Sequence, residues 1–217
     1  MNIEQARFNM IEQQIRPWDV LDPGVLSLLS MVRREDFIAP AYRAMAFVDT
    51  EVPLPEGQAM LAPRVEARLL QELALHKHER VLEIGAGSGF MAALLAHRSQ
   101  HVTTLEIRPG LARLAAENLR RAGVVNAVVR EADGSRGFVA EAPFDAILLS
   151  GSVYAVPQQL LDQLKVGGRL AAIVGEQPVM QATLYTRGSV QGFSQRVLFD
   201  TVAPRLDGFE EPSRFRF

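Results

Sequence analysis

The chain has 217 residues, 48% of them hydrophobic, with a formal net charge of −2 and no cysteine. That composition excludes a disordered chain, a disulfide-held scaffold, cysteine-ligated zinc and a thiolate nucleophile. The small charge gives no general pull toward nucleic acid or anionic membrane, and no apolar run reaches the ~18 residues of a membrane span.

The start, Met1-Asn2-Ile3-Glu4-Gln5, has neither the basic head nor the apolar core of a signal peptide. With the lack of cysteine, this leads to the expectation of a cytoplasmic protein. Glu4 to Ile15 reads as a helix with Phe8, Ile11 and Ile15 on one face. Asp22 is a plausible cap for a second helix, with Pro23 in its first turn and Val25, Leu28, Leu29 and Val32 inward. The charges Arg33-Arg34-Glu35-Asp36 are expected at a solvated corner, and Ala39 to Gly57 as an irregular connector. Pro63 to Leu75 reads as a third helix, with Val65, Leu69, Leu70 and Leu73 inward. His76 and His78 follow in a polar turn, and two histidines with no other ligand type nearby do not make a metal site.

Val81 to Ile84 fits a buried strand, and Met91 to Ala96 a helix. Further strands are expected at His101 to Leu105, Ala127 to Arg130, Phe144 to Leu149 and Leu170 to Val174, with a final pair at Ala182 to Thr186 and Arg196 to Thr201. Helices are expected at Pro109 to Ala122 and at Pro157 to Leu164, the latter closed by Gly167-Gly168. Strands alternating with helices predict an α/β fold with a doubly wound, mainly parallel sheet. The expected organisation is one domain, 1–217, with a helical extension and connector at 1–62 and the core at 63–217. The tail Glu210 to Phe217 is a loose end or a lid.

Between the first core strand and its helix runs Glu83-Ile84-Gly85-Ala86-Gly87-Ser88-Gly89-Phe90. Glycines there let a ligand approach the main chain, and N–H groups at the helix start are expected to meet its polar atoms. The dinucleotide pattern G-x-G-x-x-G fails, because Phe90 stands three residues after Gly87. Ligands of such sheets bind at the carboxyl ends of the strands. Glu106-Ile107 at the end of the second core strand and Asp133-Gly134 after the third reach that same rim. There Glu106 is placed to accept from both hydroxyls of a ribose, and Asp133 from an adenine amino group. The competing readings are a ligand-free turn, a solvated strand end at Glu106 and a turn-forming Asp133.

The order E-x-G-x-G-x-G resembles the first motif of the S-adenosylmethionine (SAM) methyltransferases, in which the acid sits near the cationic methionine amino group. From about Glu12 to Leu206 the chain resembles, more narrowly, the protein-L-isoaspartate (D-aspartate) O-methyltransferase family. The matching stretches are Arg34 to Tyr42, Gly57-Gln58, Ala62-Pro63, Glu83 to Ala96, Asp133 to Phe138, Ala142 to Ile147 and Pro157 to Gly168. The resemblance implies a Rossmann-like fold and SAM as cofactor, with S-adenosyl-L-homocysteine (SAH) as product. It implies cofactor contacts from Glu83, Gly85, Ala86, Gly87, Ser88, Gly89, Glu106, Ile107, Asp133 and Gly134. The implied activity is methylation of the isoaspartyl carboxylate in damaged proteins, a repair reaction whose partner is a peptide or protein bearing isoaspartate.

The chain departs from that family at one wall. Where members carry a serine two residues before the proline matching Pro63, this chain has Leu61, in Gln58-Ala59-Met60-Leu61-Ala62-Pro63. The small-residue run after the fourth core strand is altered to Ser150-Gly151-Ser152-Val153-Tyr154, and the usual Val-Pro-Leu near the end to Val202-Ala203-Pro204-Arg205-Leu206. Met60, Leu61, Ala62 and Ser150 are the candidates to line the acceptor site, and no catalytic residue is assigned. Besides isoaspartyl methylation, the sequence admits a methyltransferase of this fold with another acceptor, and a non-enzymatic SAM-binding relative.

Overall fold

The computed structural model describes residues 2–211. Helix α1 (Ile3–Met10) continues into a wider π turn, Ile11–Ile15, so the predicted helix is present but not uniform. Its buried face is carried by Arg7, Met10, Ile11 and Ile15, whereas Phe8 is 60% exposed. Helix α2 (Pro23–Met31) starts where expected: the Asp22 carboxylate accepts from the Val25 N–H at 2.9 Å. A 3-10 turn at Pro40–Phe47 and the two-residue strands β1 (Val52–Pro53) and β2 (Ala59–Met60) give the connector more order than its prolines suggested. Helix α3 (Pro63–Leu73) follows.

The core then alternates as predicted: β3 (Arg80–Ile84), α4 (Phe90–Arg98), β4 (His101–Glu106), α5 (Pro109–Arg121), β5 (Ala127–Glu131), β6 (Phe144–Val153), α6 (Gln158–Asp162), β7 (Leu164–Glu176), β8 (Val179–Arg187) and β9 (Phe193–Thr201). The seven-stranded sheet has the order β5-β4-β3-β6-β7-β8-β9. Strands β3 to β7 are parallel to one another, and β8 and β9 are antiparallel. Strand order reverses at β3, which places the ligand crevice at its carboxyl end. Boundaries differ from expectation around the sixth helix: β6 runs on to Val153, α6 ends at Asp162, and Gly167 and Gly168 do not close the helix but lie in the irregular start of β7, where pairing jumps from Leu164 to Arg169.

Side chains alternate across the pleat and separate the core into two layers. Leu82 and Ile84 of β3 pack on one face with Leu105, Ile147, Leu149 and Leu160. Val81 packs on the other with Ala146, Leu148, α3, α4 and the amino-terminal helices. By the same alternation Glu83 shares the face of Val81. The predicted solvated corner is half wrong. Arg34 and Glu35 are almost fully buried, because they are the ion-pair partners of Glu66 on α3 and Arg7 on α1. His76 and His78 stand exposed with stacked rings. Among the described residues no helix is long and apolar enough to cross a membrane.

Candidate active site

Glu83, next to last in β3, points into the layer under α3 and is fully buried. The parallel register pairs it with Thr104 on β4, whose hydroxyl donates to Oε2 at 2.7 Å. Ser150 on β6 donates to Oε1, also at 2.7 Å. Burial pushes the Glu83 carboxyl up to about 7, although both hydroxyl bonds pull it down.

The turn that follows is held by its own backbone. Gly85, Gly87 and Gly89 have φ of +92°, +53° and +83°, conformations in which a side chain is strained. The N–H groups of Gly85 and Ala86 both donate to the Leu105 carbonyl, and that of Gly89 to the Ala86 carbonyl. The Gly87 N–H donates to Oε2 of Glu106 at 2.9 Å. These four N–H groups are therefore taken up within the protein, three by backbone carbonyls and one by Glu106. The Arg108 N–H donates to Oε1 of Glu106 at 3.1 Å, so both oxygens of that acid are oriented. Each oxygen keeps a lone pair for a ligand hydroxyl.

These groups line one cleft. Of the expected cofactor residues, Glu83, Gly85, Ala86, Gly87, Ser88, Glu106, Ile107 and Gly134 line it. Gly134 is held tight against the wall, since an added Cβ would meet Ile84 Cγ2 at 2.5 Å. Gly89 lies behind the turn, packed on Ala115 of α5, and supports rather than lines the cleft. Asp133 is exposed outside the cleft wall, beside Gly208, and its Oδ1 accepts from the Ser135 N–H at 2.8 Å. That bond, to its own backbone two residues on, is the local one a turn-forming aspartate makes.

Met60, Leu61 and Ser150 line the cleft, and Ala62 does not. Ala62 instead borders a groove with Glu51, Arg64, Val65, Met180 and Thr201. Leu61 borders both spaces and is the wall between them.

Two features were missed. The first is Glu66, buried on α3 and lining the cleft. Its signal was available, since an acid at 66 falls on the same helix face as Leu69, Leu70 and Leu73. Arg34 donates from Nε to Glu66 Oε2 at 3.2 Å and from Nη2 to the Leu61 carbonyl at 2.7 Å. Burial pushes Glu66 up to about 7, against the lowering effect of Arg34. The second is a carboxyl-terminal strap. The Ser152 N–H donates to Pro204 at 2.7 Å, and the Leu206 N–H to Ser152 at 2.9 Å. Leu206 then covers Gly85 and Gly151, and Asp207 pairs with Arg108 at the mouth. The cover comes from residues just before the predicted tail, of which 212–217 lie outside the described residues.

Comparison with known proteins agrees with this geometry. The model of the protein-L-isoaspartate(D-aspartate) O-methyltransferase family matches residues 5–203. Protein-L-isoaspartate O-methyltransferase 1 of Syntrophobacter fumaroxidans is 39% identical over 188 residues, covering 87% of this chain and 88% of that protein. Protein-L-isoaspartate O-methyltransferase 1 of Rhodopseudomonas palustris is 42% identical over 205 residues, covering 94% and 84%. A crystal structure of a beta-aspartate methyltransferase from Plasmodium falciparum in complex with SAH superposes with a TM-score of 0.80 at 22% identity, covering 95% of this chain and 99% of that one, a likeness of fold. The chain belongs to the protein-L-isoaspartate(D-aspartate) O-methyltransferase family, whose members are SAM-dependent enzymes.

Proposed function

We propose that this enzyme methylates the isoaspartyl carboxylate of damaged peptides and proteins. The observation that carries the reading is the cofactor cleft, lined by the glycine turn, Glu83 and Glu106, in a chain of the isoaspartyl methyltransferase family, with Leu61 parting it from an outer groove.

SAM, when bound, supplies a methyl group on a sulfonium. The residues of the chain bind and orient. Glu106 accepts from the ribose hydroxyls, the glycine turn and Gly134 let the backbone close on the nucleoside, and Leu206 shields the cleft from water. A carboxylate acceptor with a pKa near ~4 is ionised at pH 7, so no general base is needed. The task left to the protein is alignment, which can supply about 7–11 kcal/mol of a barrier. Leu61 contributes shape and dryness where a serine would contribute a hydrogen bond. The absence of cysteine supports a reducing compartment, the cytoplasm, as the site of action.

A second reading, the same chemistry on another acceptor, is favoured by that wall: Leu61 is 5% exposed and offers no polar atom from its side chain. The deciding experiment is transfer of labelled methyl from SAM to an isoaspartyl peptide beside its aspartyl twin. Labelling of the isoaspartyl peptide alone supports repair. Labelling of neither peptide, with SAH still bound, favours the other acceptor.

A further inference from the structure

We propose that Glu66 is a second anionic partner, beside Glu83, for the cationic α-amino group of the bound cofactor. The inference rests on SAM being the ligand of the cleft.

Glu66 and Glu83 are both buried, both line the cleft, and each raises the energy of the other's charged form enough to register at Glu83. Like charges in a poorly solvated space repel strongly. Arg34 faces Glu66, and Glu106 adds a further negative charge on the side of Glu83. With both acids ionised, one guanidinium faces two carboxylates, and the cluster is one cation short. Arg34 is also committed elsewhere, to the carbonyls of Leu61 and Ala46.

Both oxygens of Glu83 already accept from hydroxyls, and the N–H groups of Gly85, Ala86, Gly87 and Gly89 are spent within the turn and on Glu106. An ammonium brings three donors. Glu83, with one hydroxyl bond on each oxygen, keeps one lone pair on each, two for three ammonium donors. Glu66 supplies further acceptor capacity from the opposite wall. A purely structural Glu66 would serve only to neutralise Arg34, and nothing in that role requires it to border the cleft.

A cation bound between the two acids favours their ionised forms. At pH 6 both are largely protonated, so binding must release protons: more than about one per site if both acids face the cation, and at most about one if only Glu83 does. The test is isothermal calorimetry of the full chain in buffers of different ionisation heat, with SAH and with a deamino analogue whose α-amino group is replaced by hydrogen. Expected for the wild type is release above one proton with SAH and little with the analogue. For Glu66→Gln, affinity for SAH at pH 8 should fall about tenfold or more while the analogue binds within about twofold, and proton release should drop below one. Equal losses for both ligands, or no loss for either, overturn the proposal. Should Glu66→Gln fail to fold, wild-type proton release decides by itself, and one proton or fewer overturns it. Should neither ligand bind the wild type, the cofactor reading falls and takes this inference with it, whereas binding of both with an unselective Glu66→Gln effect sinks the inference alone.

Discussion

The Ser150 hydroxyl lies 2.7 Å from Oε1 of Glu83, across the paired strands β3 and β6. It is one of two hydroxyl bonds that keep this buried acid partly ionised near neutrality. Ser150→Ala removes one of them and moves the carboxyl further upward. SAH affinity at pH 7 should weaken by about 1.5–3 kcal/mol, the worth of a hydrogen bond to a charged group. The deficit should shrink at pH 8.5, where Glu83 ionises without help. Calorimetry at the two pH values checks this, and an equal deficit at both would place the effect outside Glu83.

Glu106 is oriented by the N–H groups of Gly87 and Arg108 and is almost fully buried. Glu106→Ala should remove two charge-assisted bonds to the ribose and weaken SAH binding by about 3 kcal/mol or more. Unchanged affinity would locate the ribose elsewhere.

Leu61→Ser has two expected effects. Turnover of an isoaspartyl peptide should rise by up to about 3 kcal/mol of barrier, because a hydroxyl can orient the carboxylate. Stability should fall by about 2–5 kcal/mol, since Leu61 belongs to the main apolar core. Initial rates and denaturant midpoints measured on the same samples separate the two. A lower rate on the isoaspartyl peptide would favour an apolar acceptor.

Stability of the ligand-free protein should fall as pH rises from about 4.5 to 7. Burial raises Glu66 and Glu83 to about 7 from an ordinary 4.5, so across that window the folded state holds more protons than the unfolded one. Glu72, Glu79 and Asp145 act oppositely: burial pushes them up, but their Arg and Lys partners outweigh it and hold them low. Their contribution is present above the ordinary carboxylate range and is lost as pH falls below it. Denaturant midpoints should therefore peak near pH 4.5–5, and Glu66→Gln should roughly halve the decline toward pH 7. A midpoint that rises steadily to pH 8 would contradict both assignments.

Glu35→Ala should destabilise by about 1–3 kcal/mol, because it leaves the buried Arg7 guanidinium paired with the exposed Glu4 carboxylate and not with a buried one. Catalysis should survive in the folded fraction, since Glu35 lies outside the cleft. Chemical denaturation together with activity per folded molecule tests both halves.

Much of the fold could be read from local pattern. Most of the parallel strands held an apolar run, every helix but α4 had a capping side chain or a proline at its start, and the strand–helix alternation dictated a mainly parallel sheet. The site was legible where backbone and sequence are neighbours. Gly85 to Ser88, Glu106, Ile107 and Gly134 sit at strand ends, and a parallel sheet gathers strand ends on one rim.

What the pattern misjudged depended on partners far along the chain. Arg34 and Glu35 look like surface residues until Glu66 and Arg7, 32 and 28 positions away, arrive to pair with them. Leu206 becomes a cover only because the chain returns beside Ser152. The sequence by itself determined the order of elements, the glycine turn and the acids at the strand ends, since these follow from short-range periodicity and backbone freedom. Only the tertiary structure decided which charges are buried, which N–H groups are spent and which residues close the cleft, because a charge or a donor is settled by what packs against it.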